Sequence, residues 1–385
     1  MRLPEQILRT LRPKPQVRFG TVTSVATGIC TVQVAGGEIP AITMNGAAIA
    51  VGDFVAVQRQ SVASYVLNPA SGAIWVPLAA TSGPYAGFLV AWRVTPSGQQ
   101  SLYPTTLAWG SGDAMTTAKG SDGNAWMTTG GGSNYIAQIT ASGSVAIWPL
   151  QNSAPEGICT GSDGNLWVAD LLQGGVWRVP PKDPTAATFM PVAQGAAEPY
   201  SIAPGPDGRV WFTDSAYELV YAMATDGAYQ SFATGGFSSG LLGIAPGPAD
   251  SMWVCDEYLN GLWQVTMGGT VTFHSLTVPS PYPPINTLSR LVTDANGLIW
   301  ITDTEQRVLT YSQSGQVGVV PLTQSATAFG VCIGPDGNVW VAANPPESGT
   351  PVPLLFGIRD GAVFAAYAAP ADVAGSTVGD IASGP

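Results

Sequence analysis

Apolar positions along this chain fall in short runs, not at helical spacing. PYSIAP (199–204), LLGIAP (241–246) and FGVCI (329–333) each lead into a glycine-rich turn. A second run follows at once: VWFTD (210–214), MWVCD (252–256) or IWITD (299–303). Then come pairs of alternating runs folded about a glycine, as in ELVYAMATDGAYQSF, NGLWQVTMGGTVTFHSL and RVLTYSQSGQVGVVPL. Alternation with period two, broken by Asp-Gly and Gly-Gly turns, predicts antiparallel hairpins and very little helix.

One phrase punctuates these runs. GSDGNAW (120–126), GSDGNLW (161–167), GPDGRVW (205–211), GPADSMW (247–253), DANGLIW (294–300) and GPDGNVW (334–340) end in Trp126, Trp167, Trp211, Trp253, Trp300 and Trp340. The tryptophans are 41, 44, 42, 47 and 40 residues apart. A strand-built unit of about 40–50 residues is the signature of a β-propeller. Each unit reads as strand a before the phrase, strand b through the tryptophan, and a c–d hairpin. A single blade cannot cover its own faces, so the tryptophan is assigned a structural role between stacked sheets. PASGAIW (69–75) is a worn copy ending in Trp75, and it lacks a strand a. VGDIASGP (378–385) matches YSIAPGP and supplies the missing strand from the far end of the chain. The expectation is a seven-bladed propeller over residues 69–385, closed by its carboxyl-terminal strand, in an all-β chain.

Residues 17–68 have another rhythm: VRFGTVTSV, ICTVQVA, EIPAITM, FVAVQRQ and ASYVL predict a small five-stranded barrel. Ahead of it, residues 1–16 form an amino-terminal arm in which LPEQILRTLR has one apolar side. The string VGDFVAVQRQSVASYVLNPAS resembles the OB-like barrels of bacteriophage tail and baseplate proteins. That resemblance implies an assembly role rather than oligonucleotide binding, since no basic and aromatic platform is present.

Composition narrows the classes further. Charged residues are 10% of the chain, with 47 glycines and 32 prolines. Six basic and three acidic residues lie in 1–68, so the rest of the chain carries −14 of charge. An acidic surface excludes nucleic acid as a partner. No apolar stretch is long enough to predict membrane insertion. Cys30, Cys159, Cys255 and Cys332 stand apart in apolar runs and read as buried free thiols.

The phrase I-A-x-G-P-D-G-x-V-W-[FV]-[TA]-D resembles the repeats of NHL-type and virginiamycin B lyase-like propellers. For activity, that resemblance implies histidine and glutamate with a bound magnesium ion in the central channel. This chain has one histidine, His274, in an outer d strand, which argues against that chemistry here. Asp256 with Glu257, and Asp303 with Glu305, are the remaining carboxylate pairs for a glycan-active enzyme. Three residues after tryptophan, Asp170, Asp214, Asp256 and Asp303 stand in four consecutive units. They read either as caps of their own turns or as a partial acidic ring binding a polar ligand or cation. The long b–c and d–a loops carry Tyr85, Tyr103, Trp109 and Tyr282, candidate contacts for a receptor.

Taken together, these readings predict a structural minor tail protein of a phage virion, at the tail tip or baseplate. It would be assembled in the host cytoplasm as a symmetric oligomer with other tail proteins. The propeller would serve display or recognition of a host cell-surface glycan or protein, without enzymatic activity or cofactor. The alternatives are a lyase-like or glycan-active enzyme and a scaffold that contacts only other tail subunits.

Overall fold

The computed structural model describes residues 16–26, 29–34, 37–43, 54–60, 63–69, 72–108, 116–130, 133–193, 197–235, 240–324, 326–344, 352–373 and 376–384. The chain divides into two compact units, Met1–Gly72 and Ala73–Pro385. In the first, β1 (Gln16–Ala26), β2 (Ile29–Val34), β3 (Gly37–Thr43), β4 (Phe54–Gln60) and β5 (Ala63–Pro69) pair in the order β1-β2-β3-β5-β4. β4 returns antiparallel to β1 and the strand set closes. The expected arm, residues 1–16, falls almost wholly outside the described residues.

The second unit is a propeller of seven antiparallel blades, and blades 2 to 7 run in sequence order from axis to rim. The inner strands of blades 2 to 7 are Thr117–Lys119, Pro155–Thr160, Pro199–Pro204, Leu241–Gly247, Leu288–Thr293 and Thr327–Ile333. Blade 1 takes its inner strand from the carboxyl end. Thr377–Val378 and Ala382–Gly384 both pair with Ala73–Ala79, and Ala382 stands opposite Trp75. That is the register of Ala203 opposite Trp211 in blade 4. Ile381 is buried in one core cluster with Ile74 and Trp92, so the expected closure is present.

The recurring phrase now has a physical explanation. Trp126, Trp167, Trp211 and Trp340 are fully buried, and Trp253 and Trp300 nearly so. Burial leaves each indole N–H in need of an acceptor. The phrase's aspartate provides it: Trp167 donates to Asp163 at 3.1 Å, Trp211 to Asp207 at 3.1 Å and Trp340 to Asp336 at 2.9 Å. The same Asp163 carboxylate accepts from the Asn165 backbone and side chain, which closes the turn. Where GPADSMW lacks that aspartate, Trp253 donates to the Pro248 carbonyl instead. The glycine that opens the phrase makes room for the ring, because a Cβ on Gly161 would lie 2.6 Å from the Trp167 indole nitrogen. Turns of adjacent blades are tied as well. Ser121 donates to the Gly164 carbonyl and Ser162 to that of Gly208, each at 2.6 Å.

Burial pushes the Asp163 carboxyl up, but hydrogen bonds from Asn165, Arg178 and Trp167 outweigh it and hold it at about 2. A carboxyl held below its ordinary value stabilises the fold above that value, and the contribution is lost as pH falls toward the folded one. Asp163→Asn should therefore flatten the dependence of melting temperature on pH between about 4 and 2, with little change in the slope above pH 5. A scanning-calorimetry series over that range checks this.

Candidate functional site

The rim acids settle first. Asp170, Asp214 and Asp303 have no exposed surface and Asp256 has 2%. Each carboxylate is engaged by its own b–c turn. Asp170 accepts from the backbone of Leu172 and Gln173 and from the Trp177 indole at 2.7 Å. Asp214 accepts from Ala216 and Tyr217, and Asp256 from Tyr258, Leu259 and the Trp263 indole. Asp303 holds Arg307 at 2.7 Å, and Arg307 in turn donates to the Pro283 and Pro284 carbonyls. The acidic ring open to a ligand is therefore corrected: these acids cap turns and face inward. The same burial removes Asp256–Glu257 and Asp303–Glu305 as catalytic pairs.

What these turns display is apolar. Leu172, Tyr217, Tyr258 and Leu259 are exposed on the anchored b–c turns of blades 3, 4 and 5. Tyr282, in the loop that Arg307 tethers, is exposed on the same face. Of the other expected contact residues, Tyr103 lies against Trp75 with ring centroids 5.4 Å apart. Tyr85 packs on the core between blades 1 and 7. Neither is a free contact, because each packs against the propeller itself. Trp109 lies outside the described residues.

The axis holds a second group of charges. Inner strands slip register beside Pro155, Pro199, Leu241, Leu288 and Ala328. A bulge re-aims side chains, and its recurrence here marks one ring of equivalent positions. Ten residues before each tryptophan, that ring reads Thr116, Gly157, Ser201, Gly243, Arg290 and Gly330. Strand register adds Asp380 for blade 1. The glycines let neighbouring inner strands close up. A Cβ on Gly243 would lie 2.9 Å from the Arg290 Cα, and one on Gly330 would lie 3.0 Å from the Asp380 Cα.

Arg290 spans this ring. From blade 6 it reaches past Gly330 of blade 7 to Asp380 of blade 1, with Nε 3.1 Å from Oδ2. Its guanidinium carbon lies 5.3 Å from the Tyr200 ring centroid in blade 4 and 5.4 Å from that of Phe329 in blade 7. Four blades thus meet at one guanidinium. The Arg290 side chain is 4% exposed, whereas that of Asp380 keeps 22%. Burial works against the Arg290 charge, but Tyr200 and Asp380 outweigh it and the cation is held more firmly. Burial also pushes the Asp380 carboxyl up, and Arg290 with the N–H groups of Ile381 and Val331 pulls it only part of the way back. Because this ring sits at the start of each inner strand, it lies toward the face of the b–c turns and d–a loops. The repeat alignment carried the signal for it: an arginine in an inner strand, LSRLVT, where other units have Gly, Ser or Thr.

His274 lies where the pattern placed it, in the outer strand Val271–Ser275 of blade 5. Its Nε2 bonds Gln264 at 3.1 Å and its Nδ1 bonds the Tyr311 hydroxyl at 3.0 Å. Among the described residues, no three His, Cys, Asp or Glu side chains gather as metal ligands. Cys159, Cys255 and Cys332 are buried free thiols whose pKa burial raises, so none is poised as a nucleophile. The residues present do not fit the histidine-supported magnesium site that the resemblance implied.

A sequence model of the virginiamycin B lyase family matches residues 151–344. A virginiamycin B lyase of Nocardia farcinica (strain IFM 10152) is 30% identical over 207 residues, spanning 54% of this chain and 67% of that protein. A solved structure of Staphylococcus aureus virginiamycin B lyase, described as a catalytically inactive histidine-to-alanine variant with quinupristin, superposes with a TM-score of 0.59. It is 21% identical and covers 70% of this chain and 92% of that one. The selenomethionine-substituted S. aureus enzyme gives 0.59 at 19% identity, over 86% and 96% of the two chains. At these identities the structures establish the fold. The expectation of a phage tail protein without enzymatic activity is overturned by the matching family and curated relative, both named for virginiamycin B lyase. The expectation leaned on a short barrel motif and took one misplaced histidine as arguing against the lyase chemistry. The chain belongs to the virginiamycin B lyase family.

Proposed function

We propose that the propeller is a lyase that acts at the axial ring on a virginiamycin B-type compound. The observation that carries this reading is the juxtaposition of Arg290 and Asp380 at the axis of a chain in a lyase family. A lyase breaks a bond by elimination, without water. Elimination needs a base to take a proton and a fixed positive charge for the anion that develops. Asp380 is the partly exposed acid of the pair, and burial moves its pKa toward the range of a useful base. Arg290 cannot be deprotonated and is held in place by two rings and a carboxylate. Tyr200 stands half-buried beside them. The apolar side chains on the anchored turns of blades 3, 4 and 5 are exposed on the same face of the propeller. Anchoring lowers the entropy lost when an apolar ligand settles on them.

Incubation with virginiamycin B or quinupristin, followed by mass spectrometry, tests the reaction. Elimination yields product whose total mass equals that of the substrate, whereas hydrolysis adds one water. Conversion at unchanged total mass supports the proposal. Absence of conversion of either compound, or addition of water, overturns it. Asp380→Asn keeps an acceptor for Arg290 but cannot take a proton, and should slow conversion by about a hundredfold or more, with circular dichroism to check that the variant folds. Tyr217→Ser with Tyr258→Ser should raise KM about tenfold and leave kcat unchanged, as expected for lost apolar ground-state contact.

A further inference from the structure

The resemblance to lyase propellers implies a magnesium ion in the channel, yet the groups at this axis are of another kind. The one histidine of the chain is an outer-strand residue with both ring nitrogens bonded. The acid nearest the axis is already taken. Asp380 Oδ2 receives the Arg290 Nε at 3.1 Å, and Oδ1 receives the Ile381 N–H at 2.9 Å. Glu156, the other acid on an inner strand, is 3% exposed and lies two blades away. Of the rim acids, Asp170, Asp256 and Asp303 are engaged on both oxygens by Trp177, Trp263, Arg307 and the backbone of their own turns, and the buried Asp214 is engaged on one. A divalent ion drawn to Asp380 would have to share that carboxylate with a guanidinium that cannot lose its charge, in a site that screens poorly.

We propose that the axial site of this chain takes no divalent cation, and that the Arg290 guanidinium supplies its fixed positive charge. Four features of the fold serve this arrangement. The bulge at Leu288–Leu291 aims Arg290 across the ring. Gly330 lets blade 7 close against the backbone of Asp380, the residue that Arg290 reaches. The rings of Tyr200 and Phe329 flank the cation. The carboxyl-terminal strand delivers Asp380 as its counter-ion. The choice of Arg over a metal also couples the site to ring closure, because removing the closing strand removes the counter-ion.

The inference rests on the lyase reading for its chemistry but is tested separately from it. The full chain is stripped with chelator and titrated with Mg2+ by calorimetry and with Mn2+ by electron paramagnetic resonance. No saturable binding up to millimolar concentration, and no rise in melting temperature, is the expected result. Stoichiometric binding of either ion at micromolar concentration with a raised melting temperature would overturn the proposal, whether or not any antibiotic is turned over. Where virginiamycin B is converted, excess EDTA should leave the rate unchanged. Loss of rate restored by Mg2+ would also overturn it. In the same assay Arg290→Lys should keep the rate within about tenfold and Arg290→Gln should lose a hundredfold or more. A Gln variant that folds and reacts as the parent does would remove the guanidinium from its assigned role.

Discussion

The pairing of the last strand with Ala73–Ala79 is the contact on which the rest of the propeller depends. Each blade has two apolar faces and can cover them only with neighbours. A ring of such blades is stable only if no face and no edge is left over. Borrowing the inner strand of blade 1 from the chain end meets both conditions and joins sequence positions more than 300 residues apart. The same strand carries Asp380. The seam of the ring and the acid of the axial pair are therefore one structural element, and the site exists only in the closed ring.

Charge at the axis follows from that geometry. Inner strands of a propeller lie close together, and glycines at Gly157, Gly243 and Gly330 allow it. Close packing leaves little room for side chains. A guanidinium in such a place needs a partner, since removing one member of a buried ion pair costs about 3–5 kcal/mol. Arg290 finds Asp380 and two aromatic faces, each able to contribute about 1 kcal/mol to holding a cation. Asp380 retains some exposure, so the pair presents one group to the mouth and keeps the other rigid.

Much of the architecture was legible in the chain. The tryptophan phrase, its period and the match of VGDIASGP to YSIAPGP lead to seven blades and to the seam, because strand alternation and repeat spacing are local signals. The acids after each tryptophan were also legible as a set, but not their direction. Only the folded chain turns them inward, onto Trp177, Trp263, Arg307 and the turn amides. The axial ring was harder still. A bulge breaks simple alternation, so Arg290 and Asp380 cannot be assigned inward by counting in twos. The aromatic residues expected in loops misled for a related reason: Tyr103 lies in the strand Gln100–Ala108 against Trp75, and Tyr85 packs on the core, partners that the sequence does not announce. Function was misjudged where one missing residue type was allowed to outweigh a family-wide repeat. His274 is indeed remote from the axis, but a reaction centre can be rebuilt from other charges.

A crystal structure of the chain with quinupristin tests the central claim most directly. The account predicts the compound at the axial mouth, with a polar atom within hydrogen-bond reach of Asp380 or Tyr200 and its apolar groups against Tyr217 and Tyr258. Density for the compound on an outer strand or a blade edge, with the axis unchanged, would contradict it.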